Sequence, residues 1–310
     1  MSAVIEARNL SRWYGNVLGI SEVNLEIQPG ITALLGPNGA GKSTFMKIIT
    51  GQLKPNLGEA RIFGQKVWNN REIFRRLGFC PEVDAFYDEL NGLEFLVGLL
   101  SLYGFDKAEN RRRADQVLEL VELQDVSFRP IRSYSRGMRQ RLKVAQALAH
   151  DPEVLILDEP LSGLDPLSKR RLIKLIKDFR AKGKTIVVSS HVLPEVEAMT
   201  SEIILIHHGK ILARGDIHFI RELIDTHPHM IRIRSPHYRE LARSLAEEDY
   251  VLTISFEPEA QAVIFETHHR DRFFDRLNAL VLEFGWDLEE ITSPDDNLQA
   301  IFDYLVEGWR

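Results

Sequence analysis

One cysteine, Cys80, is all the chain contains, so no internal disulfide can form and a reducing compartment is expected. The opening residues, MSAVIEARNL, lack the basic stretch and apolar run of a signal peptide. Long apolar runs are missing as well. The most apolar window, LEFLVGLLSLYG (93–104), falls well short of the roughly 20 residues that span a bilayer and reads as a buried helix. Positive charge is not in excess either: the 310 residues carry a formal net charge of −6, which argues against general nucleic-acid binding. Internal repeats and low-complexity tracts are absent. The expectation is a soluble, cytoplasmic protein that reaches a membrane only through a partner.

Lysine is absent from residue 221 onward. Residues 1–220 hold 30 basic and 26 acidic side chains, whereas residues 221–310 hold 9 arginines against 19 acids. Such a shift marks a second domain with its own surface chemistry. In the first part, ITALLG, VLILD, TIVVSS and EIILIH are apolar runs without alternation, as expected of parallel strands buried on both faces. Helical patterns lie between them, including RRADQVLELVEL (112–123) and KRRLIKLIKDFRAKG (169–183), and residues 86–133 are helix-rich without a strand signal. From MIRIRS onward the order reads β-α-β-β-α-β, a ferredoxin-like unit, followed by a last helix over 295–307.

Residues 36–43, GPNGAGKS, fit G-x-x-x-x-G-K-[ST] and sit between an apolar strand and a credible helix. Glycines at these positions let backbone N–H groups wrap phosphate oxygens at the positive end of the helix. Lys42 adds a point charge for the outer phosphates, and the Ser43 hydroxyl is a magnesium ligand. A second buried strand ends in VLILDEP (154–160), where Asp158 supplies a carboxylate for magnesium and Glu159 one to accept a proton from water.

With these motifs in order, namely GPNGAGKS, YSRGM (134–138), VLILDEP, SGLD (162–165) and SSH (189–191), the chain resembles the ATP-binding cassette (ABC) ATPases over about residues 4–220. Gly137 stands 21 residues before Asp158 and His191 stands 33 after it. The resemblance implies an α/β P-loop domain with a mixed sheet core, an antiparallel β subdomain and a helical subdomain near 86–150, in a domain spanning 1–225. The small α+β unit would then occupy 226–310. ATP and Mg2+ are the implied cofactors. Gly36, Pro37, Asn38, Gly39, Ala40, Gly41, Lys42, Ser43 and Thr44 would bind ATP, and Tyr14 would stack on adenine. Glu159 resembles the catalytic base and His191 the residue that contacts the γ-phosphate, with Lys42 assisting. Ser135, Arg136, Gly137 and Met138 resemble the signature that closes over ATP held by the opposite subunit. Asp165 resembles the residue coupling the two sites, and Ser43 and Asp158 the metal ligands.

Two departures stand out. The family's usual signature is LSGGQ, whereas here Tyr134, Arg136 and Met138 fill its first, third and fifth positions, a variant similar to that of bacterial exporter ATPases. Glu82, in GFCPEVDAFYDEL (78–90), occupies the family's glutamine position and is a further candidate magnesium contact. The segment after Glu82 would face a membrane partner.

The implied assembly is a homodimer, or a pairing with a second ATPase subunit, on the cytoplasmic face of the cell membrane with a polytopic permease. A soluble ABC ATPase acting on ribosomes or DNA is the competing reading, but it usually brings two cassettes or a long coiled coil. No nucleic-acid partner is expected. The basic stretch IRSYSRGMRQRLK (131–143) is read accordingly: Ser135 caps a helix, Arg136 lies near phosphate held in trans, and Arg139, Lys143, Gln146 and His150 share a face expected to be solvated or partly engaged with neighbouring subunits. Arg111–Arg113 form another solvated face, and the pairs His207–His208 and His268–His269 point to opposite faces of strands, without metal-ligand spacing.

Overall fold

The computed structural model of the protein describes residues 3–216 and 228–293. The chain divides into two compact units, Met1–Gly215 and Asp216–Arg310. The helix expected over 295–307, and the boundary expected at 225 and 226, lie outside the described residues.

The first unit is built on two sheets. The antiparallel one has the order β2-β1-β4-β5, with β1 Ile5–Tyr14, β2 Val17–Ile27, β4 Leu57–Ile62 and β5 Gln65–Lys66. The other has β3 (Ile31–Leu35), β6 (Leu77–Cys80), β7 (Val154–Leu157), β8 (Thr185–Ser190), β9 (Glu202–His207) and β10 (Lys210–Asp216), in the order β10-β9-β3-β8-β7-β6. The pairs β9/β3, β3/β8, β8/β7 and β7/β6 are parallel. Every residue of β7 and β8 is buried, which explains apolar runs that lack a two-residue period. Phe45, Met46, Ile48 and Ile49, from the helix α1 (Lys42–Ile49), join both sheets in one core.

Helices α3 (Gly92–Ser101), α4 (Lys107–Leu120) and α5 (Arg136–Leu148) pack against one another between β6 and β7, after the short α2 (Arg71–Arg76). Asn91 and Glu94 form a capping box on α3, and Asp106 caps α4 through the Glu109 N–H. Arg111 and Arg112 are exposed on α4, paired with Asp115 and Glu109, while Arg113 is half-buried over the Phe105 ring. Helix α6 (Pro166–Ala181) ends at Gly183, and the short α7 (Leu193–Glu197) follows β8.

The histidine pair after β9 departs from expectation. His208 leaves the strand with a left-handed backbone (φ 44°), so the His207 and His208 rings lie 4.0 Å apart and tilted, not on opposite faces.

The second unit runs β11 (His229–Arg234), α8 (Tyr238–Leu245), β12 (Val251–Glu257), β13 (Ala262–Thr267), α9 (Arg270–Phe284) and β14 (Glu290–Thr292). Its sheet order, β12-β13-β11-β14 with all pairs antiparallel, is the ferredoxin-like arrangement. Tyr238, Leu241 and Leu245 of α8 and Phe273, Leu277 and Leu280 of α9 repeat at helical spacing. They bury Ile231, Ile233, Val263 and Phe265 of the sheet.

Candidate active site

Parallel pairing brings the carboxyl ends of β3, β8 and β7 to one edge, the edge where open α/β sheets bind ligands. Each strand delivers a different group there. Residues 36–41 follow β3, Asp158 and Glu159 follow β7, and His191 follows β8. An open cleft of about 330 Å3 lies at this edge, lined by Tyr14, Val17, Leu18, Gly19, residues 37–44, Glu82 and Glu159.

The loop at 36–41 is shaped by its glycines. Gly41 has φ 108°, and a Cβ there would meet the Gly19 carbonyl at 2.6 Å, so no larger residue fits. Gly41 also precedes α1 without offering a side-chain cap, and the first turn of α1 has no acid. Helices α2 to α6 are each capped by an asparagine, aspartate or serine side chain. The free N–H groups of α1 therefore open onto the cleft at the positive end of the helix dipole, a site suited to an anion.

Lys42 turns back into this loop. Its Nζ donates to the carbonyls of Gly36 at 2.6 Å and Pro37 at 3.3 Å, and lies 3.5 Å from a Glu159 oxygen. Glu159 has a left-handed backbone (φ 48°) and is 8% exposed. Its carboxylate is 3.0 Å from Nδ1 of His191, and its N–H donates to Ser189 Oγ at 2.8 Å. The same Ser189 hydroxyl donates to Asp158 at 2.6 Å, and the Asp158 N–H donates to the Cys80 carbonyl at 2.8 Å. Cys80 is fully buried, and burial pushes its thiol pKa up to about 12.

The Tyr14 ring is 44% exposed at the cleft, with its hydroxyl 3.4 Å from Thr44 Oγ1 and the Arg12 guanidinium 5.2 Å from the ring centre. Ser43, Glu82 and Asp158 bring oxygen donors only, the chemistry that suits a hard divalent cation. The residues present thus fit both an anionic nucleotide and magnesium.

The remaining expected residues do not line this cleft. Ser135 caps α5 through the Met138 N–H at 3.2 Å. Arg136 reaches Ser162 at 3.3 Å and lies over Gly163, while Gly137 lies against Leu164. Asp165 caps α6 through the Leu167 and Ser168 N–H groups and accepts from the Ser168 hydroxyl, bonds that lower its pKa.

Along α5 the sequence reading needs correction. Lys143 and His150 are buried, and Arg139 is half-buried between Asp84 and Asp88 rather than solvated. Helix α5 packs against β6, β7, α3 and α4, which leaves it little solvated surface. Two positions went unseen in the sequence. Ser189 belongs to the SSH motif, and its place at a strand end beside VLILDEP was the available signal. Gln140 had none; its buried amide donates to the Glu159 and Pro160 carbonyls at 3.3 and 2.7 Å.

Among the described residues, no helix is long and apolar enough to cross a membrane. The family model described as ABC transporter matches residues 20–162. Over 99% of both chains, the protein is 34% identical to the bacitracin transport ATP-binding protein BcrA of Bacillus licheniformis. It is 34% identical to the Nod factor export ATP-binding protein I of Cupriavidus metallidurans, over 73% of this chain and 74% of that one. For the lantibiotic transport ATP-binding protein SrtF of Streptococcus pyogenes the identity is 37%, over 67% of this chain and 89% of the relative. Among solved structures, an ATP-binding subunit of an ABC transporter superposes with a TM-score of 0.65 at 31% identity, covering 71% of this chain and 93% of that one. A dimeric ATP-binding cassette in a post-hydrolysis state, bound to ADP and Pi, gives 0.64 at 27% identity over 69% and 98%. A P-loop cleft of this geometry, together with a relative 34% identical over 99% of the chain, identifies the protein as a member of the ABC transporter ATP-binding family, an ATPase that serves as the ATP-binding subunit of such a transporter.

Proposed function

We propose that the chain hydrolyses Mg-ATP as one of two ATPase subunits that drive a membrane permease in an exporter. The observation that carries this reading is the convergence of Lys42, Glu159 and the uncapped start of α1 on one cleft. Tyr14 stacks on the adenine, and residues 36–44 wrap the phosphates with backbone N–H groups. Lys42 exchanges its two carbonyl partners for phosphate oxygens. Ser43, Asp158 and Glu82 would hold magnesium, which would neutralise charge on the outer phosphates. Glu159 takes the proton of the attacking water while His191 orients the γ-phosphate, and Gln140 and Ser189 fix the turn that carries Glu159.

Ser135, Arg136, Gly137 and Met138 lie outside the cleft of their own chain, which favours their use on nucleotide held by a second subunit. Asp165 then couples the two sites. That subunit is a second copy or a related ATPase. Export is supported by the Nod factor export relative and by the YSRGM form of the signature. Nucleotide work falls to residues 1–225, with the helical subdomain at 86–150, and 226–310 form a separate acidic module. The complex sits on the cytoplasmic face of the cell membrane.

Glu159→Gln tests the chemistry. It should bind ATP, turn over at least a hundredfold more slowly, and dimerise more readily with ATP. Hydrolysis at the parental rate would remove Glu159 as the base. Affinity purification from detergent-solubilised membranes tests the partner: a co-purifying polytopic protein that changes the ATPase rate is expected. Recovery of ribosomes or DNA instead would overturn the transport reading.

A further inference from the structure

Lys143 is a cation that the proposed chemistry does not use. It is 4% exposed, in the middle of α5, and its ammonium donates to the backbone carbonyl of Glu82. Burying an ammonium is costly unless its partners are well placed, so a lysine here in place of an apolar residue has to be held by something it does. Arg139, one turn earlier on the same face, grips the same loop. It donates to Asp84 at 2.7 Å, to Asp88 at 2.7 Å and to the Ile131 carbonyl at 3.3 Å, and its guanidinium lies 5.2 Å from the Phe86 ring centre.

Both cations belong to the helix that Ser135 caps. The loop they hold starts directly after β6, and its Glu82 lines the cleft. The attachments are graded along the loop. Asp88 and Leu90 also bond to the backbone of Arg132 and Ile131, while the link nearest Glu82 is Lys143.

We propose that Lys143, assisted by Arg139, is a positioning residue that locks the Glu82 loop to the signature helix, so that the Glu82 carboxylate and Ser135 move as one body. This rests on the reading that Glu82 faces bound Mg-ATP. Closure of the signature on a partner's nucleotide then carries through α5 to the carboxylate over this chain's own nucleotide. Such a link fits a glutamate at this position, because an anionic side chain near the phosphates acts favourably only where it meets the metal.

The chain's one cysteine gives a readout independent of activity, since Cys80 is buried two residues before Glu82. In Lys143→Met, reaction of Cys80 with a thiol reagent under native conditions should speed up at least tenfold. The kcat should fall at least fivefold with KM for ATP within twofold, and the magnesium concentration for half-maximal rate should rise. Lys143→Arg should restore most of the rate. In a Glu82→Ala background, Lys143→Met should lower kcat no further while still exposing Cys80. Asp84→Ala loosens the same loop from its exposed side and serves if Lys143→Met does not fold; at least threefold faster Cys80 reaction is expected. Parental Cys80 reactivity in the variant that folds would overturn the clamp. Equal falls in kcat from Lys143→Met with and without Glu82 would show that Lys143 does not act through Glu82, and would overturn the proposal. Parental kcat and magnesium dependence in Glu82→Ala alone would instead refute the reading of Glu82, leaving the Cys80 rates to judge the clamp by itself.

Discussion

Lys42 and Glu159 face each other across 3.5 Å with side chains 6% and 9% exposed. A buried pair of this kind is held by both members, and removing one leaves an uncompensated charge. Here the ammonium's two backbone carbonyls give way to phosphate oxygens and the carboxylate keeps His191, so neither charge is left without a polar partner when phosphate separates them. Lys42→Ala should weaken ATP binding by about 1.5–3 kcal/mol, the range for hydrogen bonds to charged groups. Titration with a fluorescent ATP analogue checks this. The thermal midpoint of the variant should also respond far less than that of the parent to added ATP.

Tyr134 opens the signature in place of the family's leucine, and its hydroxyl donates to the Val126 carbonyl at 2.9 Å. The fit is close: a Cβ on Gly92 would come within 2.6 Å of that hydroxyl. Tyr134 thereby pins the turn before Ser135 to the start of α3 and the end of the 124–126 turn. Tyr134→Phe removes one part-buried hydrogen bond, worth about 1 kcal/mol. For a unit of this size the thermal midpoint should drop about 2–4 °C. ATP binding should be unchanged, because Tyr134 lies outside the cleft.

The phosphate loop, VLILDEP and SSH were legible in sequence because each is local. A strand, a sharp turn and the next helix fix where the side chains go, and parallel pairing of β3, β8 and β7 then aligns them. The β-α-β-β-α-β order of the second unit was legible for the same reason, since short strand-like runs and helical patterns follow one another along the chain. Helix α5 was not. A helical wheel assumes one dry face and one wet face, but α5 is enclosed by the sheet and two helices. Arg139, Gln140 and Lys143 thus become internal ties to Asp84, Pro160 and Glu82. No pattern along one helix reports partners that lie 20 to 61 residues away in the chain.

Arg136 rests on its own chain, bonded to Ser162 and packed over Gly163. Gly163 has φ 73°, a backbone conformation that favours glycine, and a Cβ there would come within 2.3 Å of Arg136 Nε and push that flexible side chain aside. Signature and SGLD turn are therefore in contact before any partner arrives. Gly163→Ala should displace Arg136 and disturb the approach to Asp165. In a Glu159→Gln background, ATP should bind Gly163→Ala and Arg136→Ala as it binds the parent, but ATP-induced dimer should fall at least threefold. Size-exclusion chromatography with light scattering measures it.

His150 supplies the pH dependence. Burial lowers its pKa from 6.5 to about 4, outweighing the bond to the Leu77 carbonyl and the field of Asp151, which act the other way; Arg113 and Lys184 lower it further. The ring is stacked on Tyr103 with centres 4.2 Å apart. In the folded chain it stays neutral to about pH 4, whereas in the unfolded chain it takes a proton below pH 6.5. The unfolded state thus binds more protons in that window, and stability present above pH 6.5 is lost as the pH falls toward 4. Between neutral pH and pH 5 the loss from this residue is about 2 kcal/mol. His150→Gln retains a donor for the Leu77 carbonyl and cannot titrate. Urea unfolding at both pH values should show the variant losing less stability than the parent by that amount. An equal loss in the two proteins would mean that His150 is not the group that titrates.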